Sequence, residues 1–189
     1  DIYEPKIWGD TTVYADLYKV EPQEGAAYLQ DKMEFDNMVI NVGLRYDVFD
    51  PASVYPSNRR NPSNQLTYKD TSGVLIDSLT STNLNADIID QISPRIGFAY
   101  QLGNEAVLHF SYGHFFQMPP LYSMYQNHSF LIPPNDHGTT MGNVLLEPEK
   151  TITYEIGLWQ ELTRGLSLDV ALFYRDIYNL LSAQVFSTY

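Results

Sequence analysis

Alternation with a period of two runs through three separate stretches of the chain. In LEPEKTITYEIGLWQELTRGLSLDVALFYRDI (146–177), Ile152, Tyr154, Ile156 and Leu158 share one face. After a break at Leu162-Thr163-Arg164-Gly165 the row resumes with Leu166, Leu168, Val170, Leu172 and Tyr174. The opposite face carries Thr153, Glu155, Gly157 and Trp159, then Ser167, Asp169, Ala171, Phe173 and Arg175. This period predicts two strands of a hairpin. GAAYLQDKMEFDNMVINVGLRYDVF (25–49) repeats it. Ala27, Leu29, Met33 and Phe35 oppose Met38, Ile40, Val42, Leu44 and Tyr46, with Asp31 the exception on that face. Asp36-Asn37 predicts a two-residue turn of types that tolerate left-handed backbone. In SPRIGFAYQLGNEAVLHFSYGHFF (93–116) the apolar row is Ile96, Phe98, Tyr100, Leu102, Ala106, Leu108, Phe110 and Tyr112, around a turn at Gly103-Asn104-Glu105. The strings Val-Gly-Leu (42–44), Ile-Gly-Phe (96–98) and Ile-Gly-Leu (156–158) form a weak repeat, one per hairpin, with each glycine on the polar face.

The expected strands are about 25–35, 38–49, 92–102, 106–116, 150–161 and 166–178. Between hairpins the chain changes character. Two segments, about 50–91 and 118–148, are rich in Pro, Ser, Asn, Thr and Asp. Structureless connections beyond about 15 residues are uncommon in compact domains. Here they alternate with tight turns.

Alternation alone leaves two architectures open. A soluble sandwich turns the apolar row inward, whereas a membrane barrel turns it toward lipid and the polar row toward a wet lumen. The one-sided loop pattern favours the barrel, whose turns are short at the periplasm and whose loops are long outside. Strand length agrees: ten residues span about 33 Å, or roughly 24 Å when tilted near 45°. The lipid-side tyrosines Tyr46, Tyr112, Tyr154 and Tyr174 fall toward the long-loop ends. Phe35, Phe98 and Tyr100 fall nearer the short turns, giving a pattern of two girdles. The lumen wall would then carry Arg45, Asp47, Arg95, His109, Glu155, Asp169 and Arg175.

Composition adds exclusions. The 189 residues carry 15 Tyr, 9 Phe and 2 Trp, which suits strands and interfacial girdles alike. A net charge of -12 argues against a nucleic-acid partner. With no cysteine, thiol catalysis, disulfides and Cys-ligated metals are excluded. No apolar run approaches the roughly 20 residues of a membrane helix, and no signal peptide is expected in the given sequence.

Several segments resemble barrel pieces of TonB-dependent receptors: AAYLQDKMEF, NVGLRYDVFDP, SPRIGFAY, FSYGHFFQMPPLYSMY and LEPEKTITYEIGLWQEL with LSLDVALFYRDI. PEKTITYEIGL and YGHFFQMPPL are the most specific. They are most similar to the large Bacteroidetes-type members with a carboxypeptidase-regulatory-like domain at the N-terminus. The resemblance implies an all-β chain, an antiparallel transmembrane barrel segment of about six strands in three hairpins, placed in the outer membrane of a Gram-negative cell. It implies as partners outer-membrane lipid, the receptor's own plug domain, the TonB complex and a large imported ligand of siderophore, oligosaccharide or peptide class, with no cofactor and no catalysis. Six strands are too few to close a membrane barrel. A piece of a longer barrel, cut in outer loops, is therefore expected. A passive porin or surface barrel, and a soluble sandwich binding module, are the rival readings.

No catalytic or metal signature is evident. His109 and Ser111 lack a nucleophile elbow. His114 is placed just above the wall, and His128 and His137 in the second loop. Asp136-His137 has no second ligand at a recognised spacing. The first-loop acids Asp70, Asp77, Asp87 and Asp90 lack calcium-loop spacing. The candidate ligand surface is the aromatic stretch Phe115, Phe116, Tyr122, Tyr125 and Phe130, which could stack on a ligand ring or pack against the plug. Loop length adds little to stability, so shortening 121–144 is expected to leave assembly intact.

Overall fold

The structure, a computed structural model, describes residues 9, 12, 15–65, 69–76, 80–132 and 138–186. Six long strands form one antiparallel sheet: β1 (Gln23–Phe35), β2 (Met38–Asp50), β5 (Ile89–Leu102), β6 (Ala106–Gln117), β7 (Glu149–Thr163) and β8 (Leu166–Tyr178). They are hydrogen-bonded in the order β1-β2-β5-β6-β7-β8, a meander. A small ribbon, β3 (Val54–Pro56) with β4 (Asn83–Asn85), folds the first long loop. One short helix, α1 (Leu121–Tyr125), lies in the second. No helix among the described residues is long and apolar enough to cross a membrane.

Cross-strand pairing turns the alternation into continuous layers. Phe35, Met38, Tyr100, Leu108, Leu158 and Val170 are successive partners across all six strands. So are Met33, Ile40, Phe98, Phe110, Ile156 and Leu172, and so are Asp31, Val42, Ile96, Tyr112, Tyr154 and Tyr174. Partners share a face, so one side of the sheet is apolar from edge to edge. Nothing among the described residues covers it: Leu44 is 51% exposed, Ile156 48% and Leu172 68%. The tyrosines of the third layer touch ring to ring, Tyr112–Tyr154 at 5.0 Å and Tyr154–Tyr174 at 6.2 Å. His114 belongs to this face as well. Strand β6 runs on through it, which corrects its expected place above the wall, and its Nε2 lies 2.5 Å from the Tyr112 hydroxyl.

The three short turns are not level with the layers. Relative to the layer of Phe35 and Met38, which closes β1 onto β2, the β5–β6 turn begins at Leu102–Ala106, two residues further on. The β7–β8 turn closes at Leu166, four residues beyond Val170, with a bulge between Glu161 and Thr163. Each hairpin thus steps about 6.6 Å along the strands for about 9.6 Å across them. If the turns lie in one plane, the strands lean by about 35°, the tilt of a barrel wall. The step also stitches the turns together. Gln101 N–H donates to the Asn37 carbonyl at 2.8 Å, and Glu161 N–H to the Glu105 carbonyl at 2.7 Å. Gly103 (φ +66°) and Gly165 (φ +83°) supply the left-handed backbone that two of the turns require. Asp36 and Asn37 do not use it, contrary to expectation. Their turn is held instead by the β5 backbone that runs past it.

The described residues bury little apolar surface in the wall. The hydrophobic cluster sits at the long-loop end, where Phe49 of β2 meets Met124 and Tyr125 of α1 and Val144 of the returning loop. Tyr55, Ile89, Met118 and Leu146 pack around it.

Candidate functional site: a polar trough beneath a loop cap

The polar face of the sheet is hollow. One row across it reads Gln30, Gly43, Arg95, Gly113, Thr153, Arg175, and the next reads Lys32, Asn41, Gly97, Ser111, Glu155, Phe173. Glycines stand where side chains would otherwise fill the concavity. Gly113 also leaves room for a neighbour: a Cβ there would stand 3.2 Å from the Phe115 ring, which would have to shift. The result is a trough of about 830 Å³, bordered by Tyr28, Arg45, Arg95, Phe115, Glu155 and Arg175 among others.

All seven wall residues expected from the alternation lie on this face, yet they do different things. Arg45 is forked onto Asp47, with Nε at 2.9 and 3.0 Å from the two carboxylate oxygens and Nη2 at 2.8 Å from Oδ1. Asp47 is buried. This pair closes the upper end of the trough. Arg95 stacks its guanidinium over Phe115 at 4.8 Å, and Arg175 over Phe173 at 5.9 Å. Glu155 faces His109 Nε2 at 3.7 Å. His109 and Asp169 lie closer to the short turns, where the wall also carries Val39, Ala99, Val107, Trp159 and Ala171. Gly157 faces His109 so closely that any side chain there would displace the imidazole.

Above the trough the two long loops form one cap. Gln65 pairs its amide with the backbone of Ile132, donating from Nε2 at 3.0 Å and accepting at Oε1 from the Ile132 N–H at 2.7 Å. Tyr125 donates its hydroxyl to the Pro51 carbonyl at 2.9 Å. Burial raises the Tyr125 pKa, and Asp50 and Tyr18 add to the effect. Gly142 lets the returning limb lie against α1: its N–H donates to Gln126 O at 2.7 Å, and a Cβ would stand 2.5 Å from Met124 O. Preceding chain joins too, with Asp16 accepting from the Asn127 N–H at 2.8 Å.

The aromatic stretch is therefore divided. Phe115 is 45% exposed and borders the trough; Tyr122 is 63% exposed on the cap surface. Phe116 is half-buried in a smaller cleft with Arg45, Asp47 and Met118. Tyr125 and Phe130 are only 2% and 7% exposed. Their rings are taken up by the cap's own packing, which leaves little of their surface open. Phe130 takes a positive φ of 58°, unfavourable for a bulky residue and sustained here by ring burial. Segment 121–144 supplies Met124, Tyr125 and Val144 to the buried cluster, so shortening it would remove the core of the cap.

His128 lies among Tyr18, Tyr125 and Phe130, and its Nδ1 is buried without a hydrogen-bond partner. Asp136, His137 and Asp77 lie outside the described residues. Among the described residues no group of three or more His, Asp or Glu is arranged to hold a metal. Trough residues absent from the expected set are small or neutral: Gln30, Asn41, Ser111, Thr151 and Thr153. Their signal was the same alternation, but charge is what draws attention to a position.

Residues 4–189 match the sequence profile of a family described as TonB dependent receptor-like, beta-barrel. Among solved structures the chain is similar to a double mutant of the Serratia marcescens hemophore receptor HasR, in complex with its hemophore HasA and heme. There the TM-score is 0.56 at 17% identity, over 84% of this chain and 26% of that one. It is also similar to the alcaligin outer-membrane receptor FauA of Bordetella pertussis, with a TM-score of 0.45 at 20% identity, over 85% of this chain and 21% of that one. The chain thus spans about a quarter or less of the length of these proteins. No curated protein sequence matches it.

Proposed function

We propose that this chain, which belongs to the TonB-dependent receptor β-barrel family, supplies six consecutive wall strands and two outer loops of a receptor that binds a large ligand and imports it. The family's barrels sit in the outer membrane, and they are transport receptors, not enzymes. The observation that carries the reading is the division of the sheet. One face is apolar from edge to edge with nothing among the described residues covering it, and the other is hollow and polar, with the paired loops packed at its long-loop end. The first face suits lipid and the second a passage. Phe115 and Phe116, at the junction of trough and cap, and the exposed ring of Tyr122 are the ligand contacts in this reading, since aromatic faces stack on flat or cyclic groups. Coupling to the TonB complex and a plug domain from the rest of the full-length protein complete it, in the manner of the large receptors with a carboxypeptidase-regulatory-like domain.

This chain has no cysteine, so single cysteines placed in it report on it alone once any cysteine elsewhere in the receptor is replaced by serine. In cells producing the full-length receptor, Tyr122→Cys should react with a membrane-impermeant maleimide, and Asn104→Cys only after permeabilisation. The reverse would invert the wall. Solute loss from the medium that depends on the receptor should stop when the TonB complex is disabled. Continued loss would return the passive porin to favour.

A further inference from the structure

We propose that Arg95 and Arg175 form a receiving pair for oxyanion groups, carboxylates above all, so that the guest of this trough is an anion. The inference rests on the receptor reading and names the chemistry of its ligand. The two arginines occupy one row of the wall, separated by Gly113 and Thr153. Their backbones lie three strand spacings apart, about 14 Å. Two guanidinium groups reaching inward from that span suit a guest with several acceptors better than a single carboxylate.

Each arginine is prepared for this task. The guanidinium of Arg95 lies over the Phe115 ring at 4.8 Å and that of Arg175 over Phe173 at 5.9 Å, contacts that leave N–H donors free for a bidentate acceptor. Gly113 is what allows the Phe115 ring to sit beside Arg95. Among the described residues neither arginine has a carboxylate partner, whereas Arg45, one row higher, is neutralised by Asp47. Glu155, the acid among the residues bordering the trough, faces His109. The contrast with the rest of the molecule is strong: 23 acidic against 11 basic residues overall, yet three arginines and one glutamate border this concavity. Both arginines are exposed in the trough, so each can accept a counter-charge from outside the chain.

Two sources could supply it, and the wall favours the guest. Toward the short turns the same face carries Val39, Ala99, Val107, Trp159 and Ala171 beside His109 and Asp169. That surface suits packing against a folded body of the same protein. The arginines stand above it, one row below the Arg45–Asp47 pair.

The test uses the full-length receptor in detergent and titrates it calorimetrically with hexaglutamate and with hexaglutamine. Hexaglutamate should bind at least about tenfold more tightly at low salt, and the gap should narrow as salt screens it. Arg95→Gln with Arg175→Gln should abolish the preference, and Arg95→Lys should retain part of it, because lysine keeps the charge without the stacked fork. Equal affinity for the two peptides, or a preference that survives in the double variant, overturns the proposal. So does a lower thermal midpoint of the probe-free double variant, which would show that the arginines serve the protein's own carboxylates. Failure of the receptor reading is read separately, from the maleimide labelling.

Discussion

The wall and the cap of this chain are held together by opposite means. The wall is a ladder of backbone hydrogen bonds with large side chains on its outside, and its exposed Leu172 is an ordinary member of a six-strand apolar face. The cap has little regular structure, yet it owns the buried cluster of Phe49, Met124, Tyr125 and Val144. Hydrophobic burial thus organises the loops from within, as in a soluble protein. The wall's apolar rows are matched to a medium outside the molecule. A damaged cap should leave the wall standing, and a wall put in the wrong medium should fail as a whole.

The largest effect should come from charging the lipid side. Val170→Lys in the full-length receptor should cost about 2–4 kcal/mol near the bilayer midplane, while Ala171→Lys on the hollow face should be nearly neutral. Denaturant titration in liposomes measures both, and a reversed order would place lipid against the polar face. Next is Gly142→Ala. Its methyl would press on the Met124 carbonyl, so the cap should lose about 1–3 kcal/mol by overpacking. Hydrogen exchange over 118–146 should rise while the strands stay protected; spread of the effect into β6 and β7 would show that cap and wall unfold together. The smallest is a pH effect at the tip of the first loop. Asp70 accepts from the Ser72 hydroxyl at 2.7 Å and from the Ser72 and Val74 N–H groups. The Ser72 hydroxyl foremost, then the backbone donors, hold its carboxyl below the ordinary range. A carboxyl lowered in this way stabilises its turn above the ordinary carboxylate pKa, and that contribution is lost as pH falls through the lowered value. Exchange at Gly73 and Val74 should therefore stay slow until pH drops below the usual carboxylate range. Loosening already near neutrality would mean that the turn is held by something else.

The wall was legible because its chemistry is periodic. Ile152 through Tyr174 declare their faces two residues at a time, and the turn residues mark the ends. The cap was not. Its order depends on meetings between residues far apart in sequence, such as Gln65 with Ile132 and Tyr125 with Pro51, and no local pattern announces them. Tyr125 and Phe130 illustrate the cost. As aromatic residues in a polar loop they read as a ligand surface, and only the contacts show that their rings are already engaged. The ribbon of β3 with β4 went unseen for a related reason: Asn83-Leu84-Asn85 has no strand propensity to speak of and is extended because Val54–Pro56 pairs with it. The arginine row was half legible. Alternation assigned Arg95 and Arg175 to one face, but their alignment across three strand spacings depends on register.

The staircase of short turns carries a consequence for how such a wall can change in size. Two residues of offset per hairpin is a property of the hairpin and not of the circumference. A copied hairpin brings its own step with it, so a ring enlarged by duplication would keep the same lean, and its side chains would keep their assignment to bilayer or passage. A one-residue insertion in a strand does the opposite, exchanging the two faces beyond it. Genetic variation should accordingly be tolerated here in whole hairpins or in the outer loops, and be filtered severely for single-residue changes in strand length.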